Sequence, residues 1–292
     1  LYFDETGKVI GVQTGDMGRR RDGSEGPTFQ PGLILQARCT VLAEGARGHL
    51  GKLVEQRFGL REGVDPQRFS LGIKELWEVP ASQHQPGLVV HTVGWPLPDD
   101  IQGGGFLYHY GARRVALGLV SSLDYRNPWF APPQEFQRLK THPAFAEVLQ
   151  DGRRLAYGAR AVVTGGLQAL PRLVFPGGLL IGDDAGFLNA ARIKGIHGAI
   201  ESGRLAAEAI LQTWTTGEEA GSRYEEAFHT SWLHTELKRS RNFKPLMKHG
   251  LWTGSLLFGL DQHVFRGKAP WTLHDRSEAL LRPAGQSPKV PY

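Results

Sequence analysis

Apolar and polar positions alternate through LYFDETGKVIGVQTGD (1–16), on either side of a polar corner at Glu5-Thr6-Gly7-Lys8. A period of two predicts a hairpin whose second strand runs over 9–14. More short antiparallel strands are expected up to about residue 36, with a polar loop at 19–27. The pattern then changes in ARCTVLAEGARGHLGKLVEQRFGL (37–60): a short apolar strand at 39–43, a glycine turn, and a helix at about 48–58. Alternation returns from about 68 to 122 and predicts strands at 69–79, 88–93, 106–110 and 114–119, separated by Pro/Gly clusters such as GWPLPDDIQGGG (94–105). Together these make an antiparallel sheet. Helices are expected at 133–140 and 144–150, and extended chain at 157–163. A buried strand at 178–181 leads through an acidic turn and a loop into a helix at about 195–211. Its Ala199, Gly203, Ala206, Ala207 and Ala209 allow close packing. Residues 218–241 read as helical and charged, and the basic run Lys238, Arg239, Arg241, Lys244, Lys248 enters the apolar GLWTGSLLFGL (250–260).

Composition narrows the class. With 292 residues, 40% hydrophobic and 22% charged, the chain can build a sizeable core. A net charge of +5 suits an anionic membrane or an acidic partner. No helix-turn-helix, zinc-finger or aromatic-platform pattern accompanies it, so nucleic acid is not expected. Cys39 is the single cysteine, which excludes an intramolecular disulfide and any Cys-based metal or cluster site within the chain. No apolar run reaches 18 residues, so no helical membrane span is expected. A start at Leu1, inside a hairpin, is read as an internal piece of a longer protein.

Two segments carry candidate cofactor chemistry. In 178–203 an apolar strand ends at Gly182-Asp183, and a loop leads to a helix start at Lys194-Gly195-Ile196-His197. An Asp past a strand end can accept hydrogen bonds from ribityl hydroxyls, and free N–H groups at a helix N-terminus stabilise negative charge on a reduced flavin. A plain strand–turn–helix crossover has the same pattern. The second segment, TVLAEGARG (40–48), ends its strand in Ala43-Glu44-Gly45, similar to the Ala-Thr-Gly turn of flavoproteins on the glutathione-reductase plan. The GxGxxG pyrophosphate fingerprint of such proteins is not found in this chain, which fits a missing start.

The strings KELWEVP (74–80), HTVGWPL (91–97), GGGFLYH (103–109), VALGLVSSLDYRNPWFAP (115–132), EFQRLKTHP (135–143), GRRLAYGARAV (152–162), PGGLLIGDDAGFLNAARIKGIHGAI (176–200) and APWTLHDRSEALLRPA (269–284) resemble the electron transfer flavoprotein–ubiquinone oxidoreductase family. The resemblance covers nearly the whole chain. It implies FAD and a [4Fe–4S] cluster as cofactors, electron transfer flavoprotein as donor and ubiquinone as acceptor. The family's quinone-site glycine pair falls on Gly103 and Gly104. Its cluster cysteines would lie beyond Tyr292, so the chain alone is expected to be inactive. As a peripheral membrane enzyme, the family would sit on the cytoplasmic face of a bacterial inner membrane or on the mitochondrial inner membrane.

The expected fold is therefore α/β: a FAD-binding domain of the glutathione-reductase plan, incomplete, with an inserted antiparallel sheet domain that binds quinone. The flavin parts are 1–60 and 160–212, the quinone-binding sheet 61–159, and a helical extension 213–292 with a membrane-contacting hairpin. Leu251, Trp252, Leu256, Leu257 and Phe258 would touch lipid, with Lys244 and Lys248 near phosphates. A buried hydrophobic hairpin is the alternative for that stretch. His91, His109 and His197 are read as packing or hydrogen-bonding groups, and Arg160 as a salt-bridged arginine or one close to a cofactor. No proton donor to quinone is singled out. The competing functions are a FAD-dependent reductase of isoprenoid lipids and a cofactor-free membrane-docking module.

Overall fold

The computed structural model describes residues 1–276 and 281–290; Ser277–Leu280 of the 269–284 string lie outside the described residues. In chain order the elements begin with β1 (Tyr2–Phe3), β2 (Val9–Gln13), β3 (Met17–Arg19), β4 (Glu25–Gln30), β5 (Ile34–Gln36), β6 (Thr40–Leu42) and α1 (His49–Arg57). Next come β7 (Phe69–Glu78), β8 (Val89–His91), β9 (Gly103–Tyr110), β10 (Arg114–Ser122), α2 (Pro132–Thr141), α3 (Pro143–Leu149) and β11 (Arg153–Val163). They are followed by β12 (Val174–Phe175), β13 (Gly178–Leu180), α4 (Gly182–Ala185), α5 (Ile196–Thr213), α6 (Gly221–Thr230), α7 (Trp232–Arg239), α8 (Phe243–Leu246) and α9 (Leu251–His263). The chain forms two compact units, one of residues 1–64, 170–187 and 194–236, the other of 65–169, 188–193 and 237–292.

In the first unit β13 lies parallel to β6 and antiparallel to β12, a mixed three-stranded sheet. The hairpin expected at the start of the chain is β1–β2, and β5 extends it. The stretch read as a polar loop at 19–27 is in part a second hairpin, β3 with β4. Its residues alternate without a buried apolar face, so periodicity gives no strand signal there. The parallel pair is held by apolar burial: Leu42, Leu179 and Leu180 are inaccessible or nearly so, beneath Phe175, Phe187, Tyr224 and Phe228. The buried Tyr224 hydroxyl donates to the Leu180 carbonyl at 3.0 Å, which satisfies the one polar atom this ring brings inside. Small residues let α5 approach: a Cβ on Gly198 would stand 2.8 Å from the Phe187 carbonyl oxygen.

The second unit is built on the five-stranded antiparallel sheet β11-β7-β10-β9-β8. Successive residues of β9 show why it forms. Gly105, Leu107 and His109 are buried, while Phe106, Tyr108 and Tyr110 are not. The buried face packs on α2 and α3, with Val115, Leu117, Leu119, Phe136, Leu139, Phe145 and Leu149 in one core. Gly105 is glycine because a Cβ would come within 2.9 Å of Leu139. The strand at 153–163 begins earlier than its apolar pattern suggests, since Arg153 and Arg154 pair with Glu78 and Trp77 along the sheet, and their guanidinium groups are ion-paired with Glu78 at 3.4 Å and Glu75 at 3.1 Å. The apolar 250–260 stretch is the single helix α9, which turns back on α8 through Gly250; the hairpin expected there is helical.

Candidate functional site

Because β6 and β13 are parallel, their carboxyl ends open on the same edge of the first unit's sheet. Ala43-Glu44-Gly45 and Gly182-Asp183-Asp184 are the turns at that edge. The Glu44 carboxylate accepts from the N–H groups of Leu50 and Gly51 at 2.7 and 3.0 Å. It thus satisfies the N-terminus of α1, which has no other side-chain cap. Gly182 has φ +57°, and its N–H donates to Ser202 Oγ at 2.9 Å, fixing the turn on α5. Burial raises the Asp183 carboxyl above the usual carboxylate range. Burial also pushes Asp184 up to about 6, helped by the charges of Glu44 and Glu55 and opposed by the Glu44 N–H.

Gly195 begins α5 with no side-chain cap and no acidic residue in the first turn. Lys194 and Ile196 are exposed, Ile196 by 80%. The first N–H groups of an 18-residue helix are thus presented without a competing side-chain carboxylate, which fits the anionic edge of a flavin. The His197 side chain is engaged elsewhere: its Nε2 lies 2.9 Å from Glu236 Oε1 and its ring stacks on Trp232 at 5.7 Å.

The second unit contains a pocket of about 300 Å³. Its floor is the sheet face opposite α2, where Ser70, Val120 and Val162 share one side by register. Gly103 ends the floor. Walls come from Val93, Gly94, Pro98, Asp99, Ile101 and Gln102, from Leu188, Ala190, Ala191 and Ile193, and from Phe243, Lys244, Met247, Leu251, Ser255 and Phe258. Apolar side chains dominate, as expected of a site for a flat, weakly polar ligand. Gly103 lines the pocket; Gly104 does not, and a Cβ on it would sit 2.0 Å from the Thr92 carbonyl oxygen.

The pocket's one basic side chain is Lys244, 4% exposed. Its Nζ donates to Gln102 Oε1 at 2.9 Å and stands 3.6 Å from Asp124 Oδ2. Burial pulls its ammonium below the usual lysine range. The expected lipid-phosphate role for Lys244 is therefore corrected: it is an interior cation, and Lys248 is paired with Asp275. Arg241 is interior as well, donating to the carbonyl oxygens of Lys238, Gly267 and Ala269. The basic run beside an apolar stretch reads as a lipid-facing surface; the apolar Phe243, Leu246 and Met247 around Lys244 are the signal that this turn packs inward.

Helix α9 divides the expected lipid-contacting residues. Leu251, Ser255 and Phe258 face the pocket, and Phe258 meets Phe243 edge-on at 5.0 Å. Leu257 is half-buried. Trp252, Leu256, Leu260 and Val264 form an exposed stripe at helical spacing, 79%, 67%, 47% and 64% accessible. Among the described residues no helix is long and apolar enough to cross a membrane. His91 bonds the Tyr108 hydroxyl at 3.2 Å and His109 lies on the core face; neither lines the pocket, nor does the exposed Arg160.

Residues 69–162 match the family model described as ETF-QO, ubiquinone-binding. The chain is 48% identical to the electron transfer flavoprotein–ubiquinone oxidoreductase of Pseudomonas aeruginosa, over 99% of this chain and 54% of that protein. It is 45% identical to the mitochondrial one of Bos taurus, over 100% of this chain and 49% of that protein. The chain thus spans about half the length of the curated relatives it matches. Among solved structures, a geranylgeranyl bacteriochlorophyll reductase-like protein from Thermoplasma acidophilum superposes with a TM-score of 0.65 at 18% identity, covering 94% of this chain and 62% of that one. A variant of a flavin-dependent brominase gives 0.53 at 14% identity, over 90% and 61%. At these identities the likeness is one of fold alone.

Proposed function

We infer that this chain, a member of the electron transfer flavoprotein–ubiquinone oxidoreductase family, passes electrons from a bound flavin to a ubiquinone head group seated in the second unit's pocket. The pocket carries this reading: it is apolar, floored by the sheet within the residues matched as ubiquinone-binding, and rimmed by a helix with an exposed apolar stripe. A head group could enter while its isoprenoid tail stays in lipid.

FAD is the cofactor of this reading, and the first unit would follow the glutathione-reductase plan. Ala43, Glu44, Gly45, Gly182, Asp183 and the backbone of Lys194-Gly195-Ile196-His197 would hold it. When bound, the flavin accepts electrons and hands them on. The chain's own part is to present uncapped N–H groups at α5 to the negative charge that reduction creates. With Cys39 alone, the chain cannot ligate a [4Fe–4S] cluster, whose thiolates would come from elsewhere in the protein. Reduced electron transfer flavoprotein is the donor, and the enzyme rests on the surface of a bacterial or mitochondrial inner membrane through α9.

The test uses the full-length enzyme that contains this chain. Its visible spectrum should show flavin, reduced electron transfer flavoprotein should bleach it, and a short-chain ubiquinone should restore it. A folded, colourless protein, or a flavin that ubiquinone does not reoxidise, overturns the reading.

A further inference from the structure

Reducing a quinone to a quinol takes two protons as well as two electrons, and the pocket is otherwise nearly devoid of acids. Its lining contains two ionisable side chains besides neutral hydroxyls and amides: Asp99 and Lys244. Asp99 is exposed, and its carboxylate accepts from the Leu251 N–H at 2.9 Å, capping α9. It is committed to the helix as an acceptor.

Lys244 is placed differently. One of its N–H donors is taken by Gln102, and Asp124 stands at ion-pair distance, 3.6 Å. Behind it, Asp124 is 15% accessible and so reaches water from a position next to the buried ammonium. Two further charges act on Lys244: Arg68, which opposes its charge, and Asp275, which favours it. Those two are paired with each other at 2.8 Å, and Asp275 also holds Lys248. The cation therefore sits between an apolar cavity and a hydrated carboxylate, the arrangement of a side chain that gives a proton inward and regains one from outside.

We propose that Lys244 is the proton donor to one carbonyl oxygen of the bound quinone, recharged from solvent through Asp124. This rests on the quinone reading of the pocket. As two electrons arrive from the reduced flavin, one Nζ–H bond of Lys244 breaks and an O–H bond forms on the quinone oxygen. Water at the open mouth supplies the second proton to the other oxygen, and quinol leaves. Neutral Lys244 then takes a proton relayed from bulk water by Asp124. A lysine held below its usual range by burial is a stronger acid than one in water, and a better match to work near neutral pH.

The experiment uses the full-length holoenzyme with Lys244→Met, Lys244→Arg and Asp124→Asn. Three quantities are read separately: flavin reduction by the donor, binding of a short-chain ubiquinone by tryptophan fluorescence, and the pH profile of quinone reduction. Lys244→Met should leave flavin reduction unchanged, weaken quinone binding a few-fold, and lower kcat about a hundredfold or more. The wild type should lose rate at alkaline pH as Lys244 gives up its proton, and Lys244→Met should lack that fall. Lys244→Arg should bind quinone yet stay slow, since a guanidinium holds its proton. Asp124→Asn keeps the lysine and tests the idea even if the Met variant folds poorly: loss of the carboxylate should shift the alkaline limb to lower pH. A Lys244→Met enzyme with wild-type kcat and pH profile, or an unmoved limb in Asp124→Asn, overturns the proposal. A wild type that binds no quinone would instead overturn the functional reading.

Discussion

The backbone N–H of Glu44 donates to a carboxylate oxygen of Asp184 at 3.2 Å, tying the turn after β6 to the turn after β13. The same carboxylate fills the space over Gly48 and Gly51 of the α1 start, where a Cβ would stand 2.8 and 2.2 Å from Asp184 Oδ1. One half-buried acid thus packs two parallel-strand turns and a helix N-terminus together, beside the Glu44 carboxylate that caps that helix.

Asp184 should make the protein less stable as pH rises. Its carboxyl titrates at about 6 when folded against 3.8 as an isolated group, so the folded state holds the proton more tightly. The associated stability is fully present below pH 3.8 and is lost as pH rises through 6. At about 1.4 kcal/mol per pKa unit, and allowing for partial screening, the charged form costs about 2 kcal/mol at neutral pH. Asp184→Asn keeps an acceptor for the Glu44 N–H and removes the charge. Denaturant unfolding should show it about 2 kcal/mol more stable than wild type at pH 7.5, with the difference shrinking towards pH 4.5. Equal stability at pH 7.5 would contradict the assignment.

His109 works in the opposite sense. It is 2% exposed, and its Nδ1 accepts from the Gln85 N–H at 3.1 Å, which places the neutral ring's proton on Nε2. Burial, then the charge of His84 with its ring 5.4 Å away, lowers its pKa from 6.5. Its contribution is therefore complete above pH 6.5 and declines as pH falls below that value. Asp184 pulls the other way over part of this window, so the informative quantity is a difference. His84→Gln should lose less stability than wild type between pH 7.5 and 5.5. Parallel acid profiles would show that the two rings do not interact.

Alternation made the second unit's sheet legible where β9 buries every other residue against α2 and α3, whereas β10 is buried along almost its whole length. The strands expected at 69–79 and 114–119 differ from β7 and β10 by a few terminal residues. Helix α5 was legible from its small residues. The pocket was not: Ser70, Gly103, Val120, Val162, Ala191 and Lys244 come together only through sheet register and the return of the chain after α7. Lys244 was misread because a basic run beside an apolar stretch reads as a lipid-facing surface, and no local pattern distinguishes a buried ammonium with Gln102 and Asp124 waiting for it. The β3–β4 hairpin escaped because it carries no apolar face.

Gly103 at the pocket and its neighbour Gly104 should prove poor tests of quinone binding, and the mouth a good one. A Cβ on Gly103 would meet the Val120 carbonyl oxygen at 2.1 Å, and one on Gly104 the Thr92 carbonyl oxygen at 2.0 Å. Both contacts are with backbone and cannot relax by rotamer change. Gly103→Ala and Gly104→Ala should each cost about 2 kcal/mol or more of stability through overpacking. Ser255 lines the pocket from an exposed position on α9. Ser255→Phe should keep the melting temperature and flavin spectrum while raising KM for a short-chain ubiquinone about tenfold. A glycine variant with wild-type stability, or Ser255→Phe with unchanged KM, would refute this division of roles.

The exposed stripe of α9 should set membrane affinity. Trp252, Leu256 and Leu260 lie one above the other, with Val264 continuing the row. Burying a side chain of this kind in an apolar phase is worth about 1.5–3 kcal/mol, and these start out half or more exposed. The opposite face of the helix, Leu251 and Phe258, is already occupied by the pocket. Trp252→Ser, Leu256→Ser and Leu260→Ser combined should therefore leave folding and flavin content intact. Flotation of the full-length enzyme with vesicles of inner-membrane lipid composition should fall at least about a hundredfold, since roughly 1 kcal/mol from each of three residues suffices for that factor. Raising salt should weaken binding less than the triple substitution does, because the neighbouring cations Lys244 and Lys248 are engaged by Asp124 and Asp275 rather than free for phosphates. Salt-sensitive binding that survives the triple substitution would place the lipid contact elsewhere on the molecule.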